Sequence, residues 1–426
     1  NKSRKTPSFI KSIKKMVDRN AILVLGLILG YHGLGFSQNL PSLLLEKNIN
    51  ATFSIIAFDA DQEEWGIAVA TNNIYVGNST IHIEPGLGAF SIIAETEPLY
   101  AIKGFEHLKT GKSIEKAISL TRETDGVAHY RQVAGIDKLG NTFAFTGEAL
   151  KYWRGSAKHI VGEQYVVMGN QLQEAVLPEM AKTFESAKGT LAERLLESLL
   201  AGQKVGGQIT GKQSAALVVK GTHNEWFNQI DLRVDHSKTP FKDLKRLLNY
   251  HYGRIRLNRA LYAQREGNPT LAEQRLAAAE EMLEGWTGMY PRIALANFSI
   301  RKEESAVQWI QKGLEENSNF KAYLPSFYIL KDHPALKDLI KEETFDIRDW
   351  ESALSILSNL GKELELISLA KRLIAQDMDS SQVYFLLGRA YYFEKENAQS
   401  IRYLTKAVEL DKQNIEAIAL LKKIKA

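Results

Sequence analysis

The sequence predicts an α+β domain over residues 51–252 followed by an all-α repeat region over 253–426, and three observations support this. Up to about Tyr250, short runs rich in Val, Ile and Phe come in blocks separated by helical stretches, which is the pattern of sheet layers covered by helices. Beyond Arg254 the strand signals stop and apolar residues recur at three and four. Before residue 51, a basic stretch and an apolar run belong to neither region.

Residues 1–37 read as a secretory signal. Lysines and arginines precede the run Ala21–Gly30, and Gly35 and Ser37 supply the small residues that place cleavage before Gln38. The run is about half the roughly 20 residues that a spanning helix needs, so cleavage is expected rather than anchoring. Residues 38–50 form a linker. Strands are expected at Thr52–Asp59, Ala89–Ala94, Val133–Asp137, Asn141–Thr146 and Gln213–Val219, with Lys138-Leu139-Gly140 as a hairpin turn. Helices are expected at Ser113–Thr124, Leu172–Ser186 and Thr190–Gly202.

In the helical region, Asn268-Pro269 is a helix start, and Leu271, Leu276, Ala279 and Leu283 fall near one face of the helix it opens. Tyr384, Leu387-Gly388, Tyr391, Leu404 and Ala407 sit at the offsets of a tetratricopeptide repeat, with Ser400 where its helices cross. Leu257-Asn258-Arg259-Ala260 echoes Leu387-Gly388-Arg389-Ala390, and Ala277 echoes Ala407. Such pairs bury their faces by stacking and leave a concave surface for a protein partner; a plain helical cap is the alternative.

Composition excludes several functions. Seven of the 54 Lys/Arg and one of the 50 Asp/Glu lie in residues 1–37, so the remainder carries 47 basic against 49 acidic side chains, a net charge of −2. That argues against nucleic acid as a partner. With no cysteine there is no disulfide, no thiolate nucleophile and no thiolate metal site, which suits a periplasmic or secreted setting. The nine histidines, His82, His107, His129 and His159 among them, show no metal-ligand spacing. Gly206–Gln213 nearly spells a phosphate-binding loop, but it ends in Gln213 and runs from helix to strand, the wrong order for one.

Thr52 is the candidate for chemistry. As a chain's first residue it would carry both a hydroxyl nucleophile and, in its α-amine with a pKa of about 8, a general base. A β-branched residue opening a strand is also an ordinary structural choice.

Ordered segments add to this reading: Thr52-Phe53-Ser54-Ile55, Trp65–Thr71, Pro85–Ala89, Arg131-Gln132-Val133, Phe145-Thr146-Gly147, Gly169-Asn170-Gln171-Leu172, Gly206-Gly207, Gly211–Ala216 and Asp231–Asp235. Through them residues 51–251 resemble the domain of unknown function 1028 family, which has the N-terminal-nucleophile (Ntn) hydrolase fold. The resemblance implies a four-layer αββα sandwich and hydrolysis of a small amide or peptide bond, with Thr52 as nucleophile, no cofactor and no metal. It points to Asn170, in a Gly-Asn pair, as an oxyanion donor, with a turn-stabilising Asn as the alternative, and to Gln213 and Ser214 as residues lining the cleft. Arg131, Arg233 and Asp235 are either substrate-binding or a structural ion-pair network. The chain departs from the family pattern at Gln208, where an acid is usual, and at Thr210 and Ser156. Cleavage before Gln38 would leave Thr52 blocked by Ala51, so this chemistry needs a second cut at Ala51–Thr52. The expected protein is thus an exported amidohydrolase, periplasmic or secreted, free of the membrane once its signal is removed, whose repeats recruit a protein partner. The alternative is a non-catalytic binding or scaffold protein on the same fold.

Overall fold

The computed structural model describes residues 51–225 and 228–425, so the expected signal (1–37) and linker (38–50) lie outside the described residues. The chain forms two compact units, one reaching Lys245 and one starting at Arg246.

In the first unit, β1 (Thr52–Asp59) is central. It pairs antiparallel with β2 (Glu64–Thr71) on one side and β8 (Tyr165–Leu172) on the other. The six-stranded sheet is completed by β7 (Ser156–Gly162), β9 (Ser214–Gly221) and β10 (Ile230–Val234), in the order β10-β9-β2-β1-β8-β7. The second sheet holds β3 (Ile81–Glu84), β4 (Gly88–Ala94), β5 (Arg131–Asp137) and β6 (Thr142–Thr146), each paired with the next. The expected hairpin joins β5 to β6. The Asp137 carboxylate accepts from the Leu139 and Asn141 N–H groups, and Gly140 takes the φ of 80° that closes the turn.

Side-chain alternation builds the layers. Ile56 and Phe58 of β1, with Trp65, Ile67, Val69, Val166 and Met168, face Ala89, Ile93, Ala134 and Ile136 of the second sheet in one apolar core. Helices α1 (Leu99–Lys109) and α2 (Ile114–Thr124) cover the outer face of the second sheet, packing Tyr100, Leu108, Ile114 and Ile118 on Phe90, Ile92, Val133 and Phe145. Helices α3 (Val176–Ser186) and α4 (Leu191–Lys204) cover the six-stranded sheet. There α4 comes so close that a Cβ on Gly66 would lie 2.4 Å from Leu195 Cδ1. The layers are therefore α, β, β, α. Ser113 caps α2 rather than opening it, and Leu172 ends β8 instead of starting a helix, because the strand is held by pairing with β1 and β7.

The unit boundary falls within α5 (Pro240–Arg265), as does the expected domain change at 252/253. After it come α6 (Pro269–Leu283), α7 (Tyr290–Ser299), α8 (Glu303–Glu316), a 3₁₀ segment over Ser318–Leu330, α9 (Ile347–Asn359), α10 (Glu363–Ala375), α11 (Ser381–Phe393), α12 (Asn397–Leu410) and α13 (Ile415–Lys425). Asn268 caps α6 through the Leu271 N–H, ahead of Pro269. Leu276, Ala279 and Leu283 are buried as expected, but Ala277 is exposed where Ala407 is buried, so the two helices do not present the same face. At the α11–α12 crossing a Cβ on Gly388 would lie 2.7 Å from Leu404 Cγ, and the Ser400 hydroxyl donates to the Gly388 carbonyl at 2.8 Å. Among the described residues no helix is long and apolar enough to cross a membrane.

Candidate active site at the start of the first strand

Antiparallel register brings four polar residues into one row. Thr52 stands opposite Thr71 of β2 and Asn170 of β8, and Thr71 stands opposite Ser214 of β9. Even-numbered β1 residues face the second sheet, so the Thr52 side chain enters the space between the sheets, where Thr52 is 7% exposed. Gln132 of β5, fully buried, reaches the row from the opposite sheet.

The amide orientations are set by obligatory acceptors. Gln132 Nε2 lies 2.9 Å from the Lys158 carbonyl and 3.0 Å from that of Gly169, so the nitrogen is fixed there and Oε1 accepts from Asn170 Nδ2 at 3.2 Å. Asn170 Oδ1 is then left as an acceptor and receives the Thr52 backbone N–H at 3.3 Å. Gln132 Nε2 also approaches Thr146 Oγ1, which bonds His159 Nδ1 at 2.9 Å. Burial holds the His159 pKa below its ordinary value.

Around the Ala51–Thr52 peptide bond the donors converge. The buried Ala51 carbonyl accepts from the Thr71 hydroxyl at 2.7 Å, from the Asn72 N–H at 3.2 Å and from Gln208 Nε2. Having given its single proton to Ala51, Thr71 Oγ1 can only accept from the Thr52 hydroxyl, 3.0 Å away. Gln208 is placed by a loop in which Gly206 and Gly207 take φ of 118° and 55°, and which bridges to Leu172 at the end of β8.

The other expected residues divide between the row and the surface. Gln213 Nε2 donates to the Asn72 carbonyl, and Ser214 Oγ to that of Asn73, so both brace the loop that carries the Asn72 N–H. Arg131 points away from the row, because residues 131 and 132 lie on opposite faces of β5. Its guanidinium binds Asp125 at 2.9 Å and the Glu95 carbonyl at 2.8 Å. Burial would raise the Asp125 pKa, but bonds from Arg131 and the Val127 N–H outweigh it and keep the carboxyl below its usual range. Arg233 makes a two-bond fork with Asp231 on the edge strand, at 2.7 and 3.1 Å, and Asp235 is exposed beyond it. The row therefore gathers Thr52, Asn170 and Ser214, with Gln213 adjacent, and leaves out Arg131, Arg233 and Asp235. Sequence reasoning did not single out Thr71, Asn72 or Gln132, and it marked Gln208 only as a departure from the family pattern. For Gln132, strand alternation with Ala134 and Ile136 was the available signal. Among the described residues no group of three or more His, Asp or Glu is placed to hold a metal ion.

Residues 52–244 match the model of a family of unknown function, DUF1028, and residues 381–414 match a tetratricopeptide repeat. No curated protein matches the chain. Among solved structures, a Silicibacter pomeroyi protein described as DUF1028 is 28% identical, with a TM-score of 0.43, covering 46% of this chain and 84% of that one. The tetratricopeptide domain of P58(IPK) is 17% identical with a TM-score of 0.20, covering 41% of this chain and 55% of its own. The similarity to DUF1028 thus lies in residues 52–244, and the similarity to a tetratricopeptide repeat in the helical region that follows.

Proposed function

We propose that the first unit is an Ntn-type amidohydrolase that frees its own nucleophile by cutting Ala51–Thr52. In this reading the protein is exported, acts on a small amide or peptide, and recruits a protein partner through its helical repeats. The observation that carries the reading is the Ala51 carbonyl, buried and bonded by Thr71, Asn72 and Gln208. Three donors on one carbonyl at a strand start are more than sheet pairing requires, and they are the arrangement that stabilises a developing oxyanion.

In the first step Thr52 Oγ bonds to the Ala51 carbonyl carbon. The Thr52 hydroxyl proton passes to Thr71 Oγ1, and the Thr71 proton passes to the Ala51 oxygen, giving a neutral tetrahedral adduct. Collapse breaks the C–N bond as the adduct hydroxyl proton moves to the Thr52 nitrogen, leaving an ester of Ala51 on Thr52. Water opens the ester, releasing the Ala51 carboxyl and a free Thr52. The new amine lies beside Asn170 Oδ1, which orients it to take the hydroxyl proton when a substrate carbonyl arrives. The Asn72 N–H and the Gln208 amide are then free to bind that carbonyl. Asn170 thereby orients the amine, in place of the oxyanion role implied by the resemblance.

The test is the intact mass of the purified chain over time. A species beginning at Thr52, absent from a Thr52→Ala variant, is the expected result. A chain that keeps Ala51 while hydrolysing amides would overturn the self-cleavage, and one that never turns over any amide would overturn the reading and favour a scaffold.

A further inference from the structure

The β1–β2 ladder runs one residue past Thr52. The Asn72 N–H donates to the Ala51 carbonyl at 3.2 Å, beyond the Thr52–Thr71 pair, so side-chain alternation extends to Ala51. Thr52 faces the second sheet, and Ala51 therefore shares the opposite face of β1 with Phe53. That face looks toward the helices: Gly66, opposite Ala57, is the residue that α4 approaches through Leu195.

On this face Phe53 stacks with Phe241 of α5, with ring centroids 6.1 Å apart and planes 19° from parallel. Phe241 reaches Phe53 from the end of the sheet where Thr52 stands. It follows the loop after β10, whose last residue, Val234, pairs with Ala215 beside Ser214, and Lys212 Nζ lies 5.6 Å from its ring. Gly211 sits close to Asn72, whose Oδ1 a Cβ there would meet at 3.4 Å. The two rings thus fill the helix side of the strand start, the side to which the Ala51 methyl points. Ala51 and Phe53 are fully buried, and Phe241 is nearly so. A close-packed interior takes no extra carbons without displacing a neighbour.

We infer that the acyl half of the substrate is no larger than an alanyl residue, and that the Phe53–Phe241 pair sets this limit. The inference deepens the proposed hydrolase and rests on it. In self-cleavage and in substrate turnover alike, Thr52 Oγ bonds to a carbonyl carbon, the C–N bond breaks, and the leaving nitrogen takes a proton. The Asn72 and Gln208 donors hold the carbonyl oxygen each time. With the nucleophile and that oxygen both fixed, one position remains for the substituent on the acyl carbon, and Ala51 fills it. Acetyl, glycyl and alanyl amides fit there; leucyl and phenylacetyl amides do not.

The experiment varies the acyl group within the chain itself. Intact mass over time is recorded for the full unaltered chain and for its Ala51→Gly and Ala51→Leu variants. Glycine should keep cleavage, and leucine should slow it at least about tenfold. Adding Phe241→Ala to Ala51→Leu should recover most of that loss, because the space left by the ring takes the leucine. Phe241→Ala alone should still cleave, which shows that it folds; Phe241→Leu takes its place if it does not. Leucine cleaved as fast as alanine, or a loss that neither Phe241 substitution relieves, overturns the inference and leaves self-cleavage standing. An unaltered chain that is never cut at Ala51–Thr52 overturns the hydrolase reading itself. On the processed chain, the N-acetyl-Ala amide of 7-amino-4-methylcoumarin should show a kcat/KM at least about tenfold above that of the N-acetyl-Leu amide. Equal values, or the reverse order, overturn the inference.

Discussion

Replacing Thr71 with valine isolates one hydroxyl at the centre of the proposed self-cleavage. The side chain is 2% exposed, and valine keeps its shape while removing the oxygen. That oxygen makes three contacts: it donates to the Ala51 carbonyl at 2.7 Å, accepts from Thr52 at 3.0 Å and accepts from the Asn73 N–H at 3.3 Å. The Ala51 carbonyl keeps the Asn72 and Gln208 donors, so it is not orphaned, and Asn73 is only half-buried. The loss of folding stability should therefore be modest, about 1–2 kcal/mol. The effect on cleavage should be larger, because the hydroxyl both takes the nucleophile's proton and protonates the forming oxyanion. Removing one such donor slows acyl chemistry by about 100- to 1000-fold. Intact mass followed over time on freshly purified Thr71→Val, Thr71→Ser and unaltered chains reads the rate directly. Serine should restore cleavage, since it keeps the hydroxyl. A valine variant that cleaves at the unaltered rate would refute the relay.

Gly388→Ala should lower the urea midpoint of the helical unit by an amount equivalent to about 1–3 kcal/mol, because the new Cβ would meet Leu404 Cγ at 2.7 Å and Leu404 N at 3.0 Å. An unchanged midpoint would mean that α12 shifts freely at the crossing. Acid should destabilise the protein in a window set by its histidines. Burial lowers the pKa of His82 and His159, and burial together with the charge of Arg254 lowers that of His251 to about 4. With folded values below the ordinary value of 6.5, these groups add stability that is present above pH 6.5 and is lost as pH falls through the folded values. The thermal midpoint should drop between about pH 6.5 and 4, and His251→Asn should flatten part of that slope. An equal slope in the variant would remove His251 as a cause.

How much of this was legible in the sequence depended on whether a feature was local. β1 could be read from its β-branched and apolar run, and the β5–β6 hairpin from its turn, because alternation and turn chemistry are properties of neighbouring residues. The four layers came only with the resemblance, since strand order in the six-stranded sheet joins β1 to β8 across more than a hundred residues. The site was harder for the same reason. Thr52, Thr71, Asn170 and Ser214 form a row only through three strand registers, and no spacing in the chain encodes them. Arg131 drew attention by residue type, yet its neighbour Gln132 is the one that faces the row. Alternation separates the two, but only once the inner face of β5 is known.

That row also bears on why the site is there at all. A strand end buried between two sheets is most simply filled by valine and isoleucine, which need no partners and pack well on a pleated surface. Here Thr52, Thr71, Asn170, Gln132 and Ser214 are all buried, and each must be hydrogen-bonded or leave a polar group stranded. The bonds that satisfy them turn toward a single peptide group: Asn170 binds its nitrogen, Thr71 its oxygen, and Gln132 fixes Asn170 from the opposite sheet. Ser214 anchors the Asn73 carbonyl, next to the Asn72 N–H that binds the same oxygen. A network serving stability alone would be as well satisfied by pairing its members with one another. Its convergence on the Ala51–Thr52 bond is what an apolar replacement could not reproduce, and it is the physical reason to look for chemistry at Thr52.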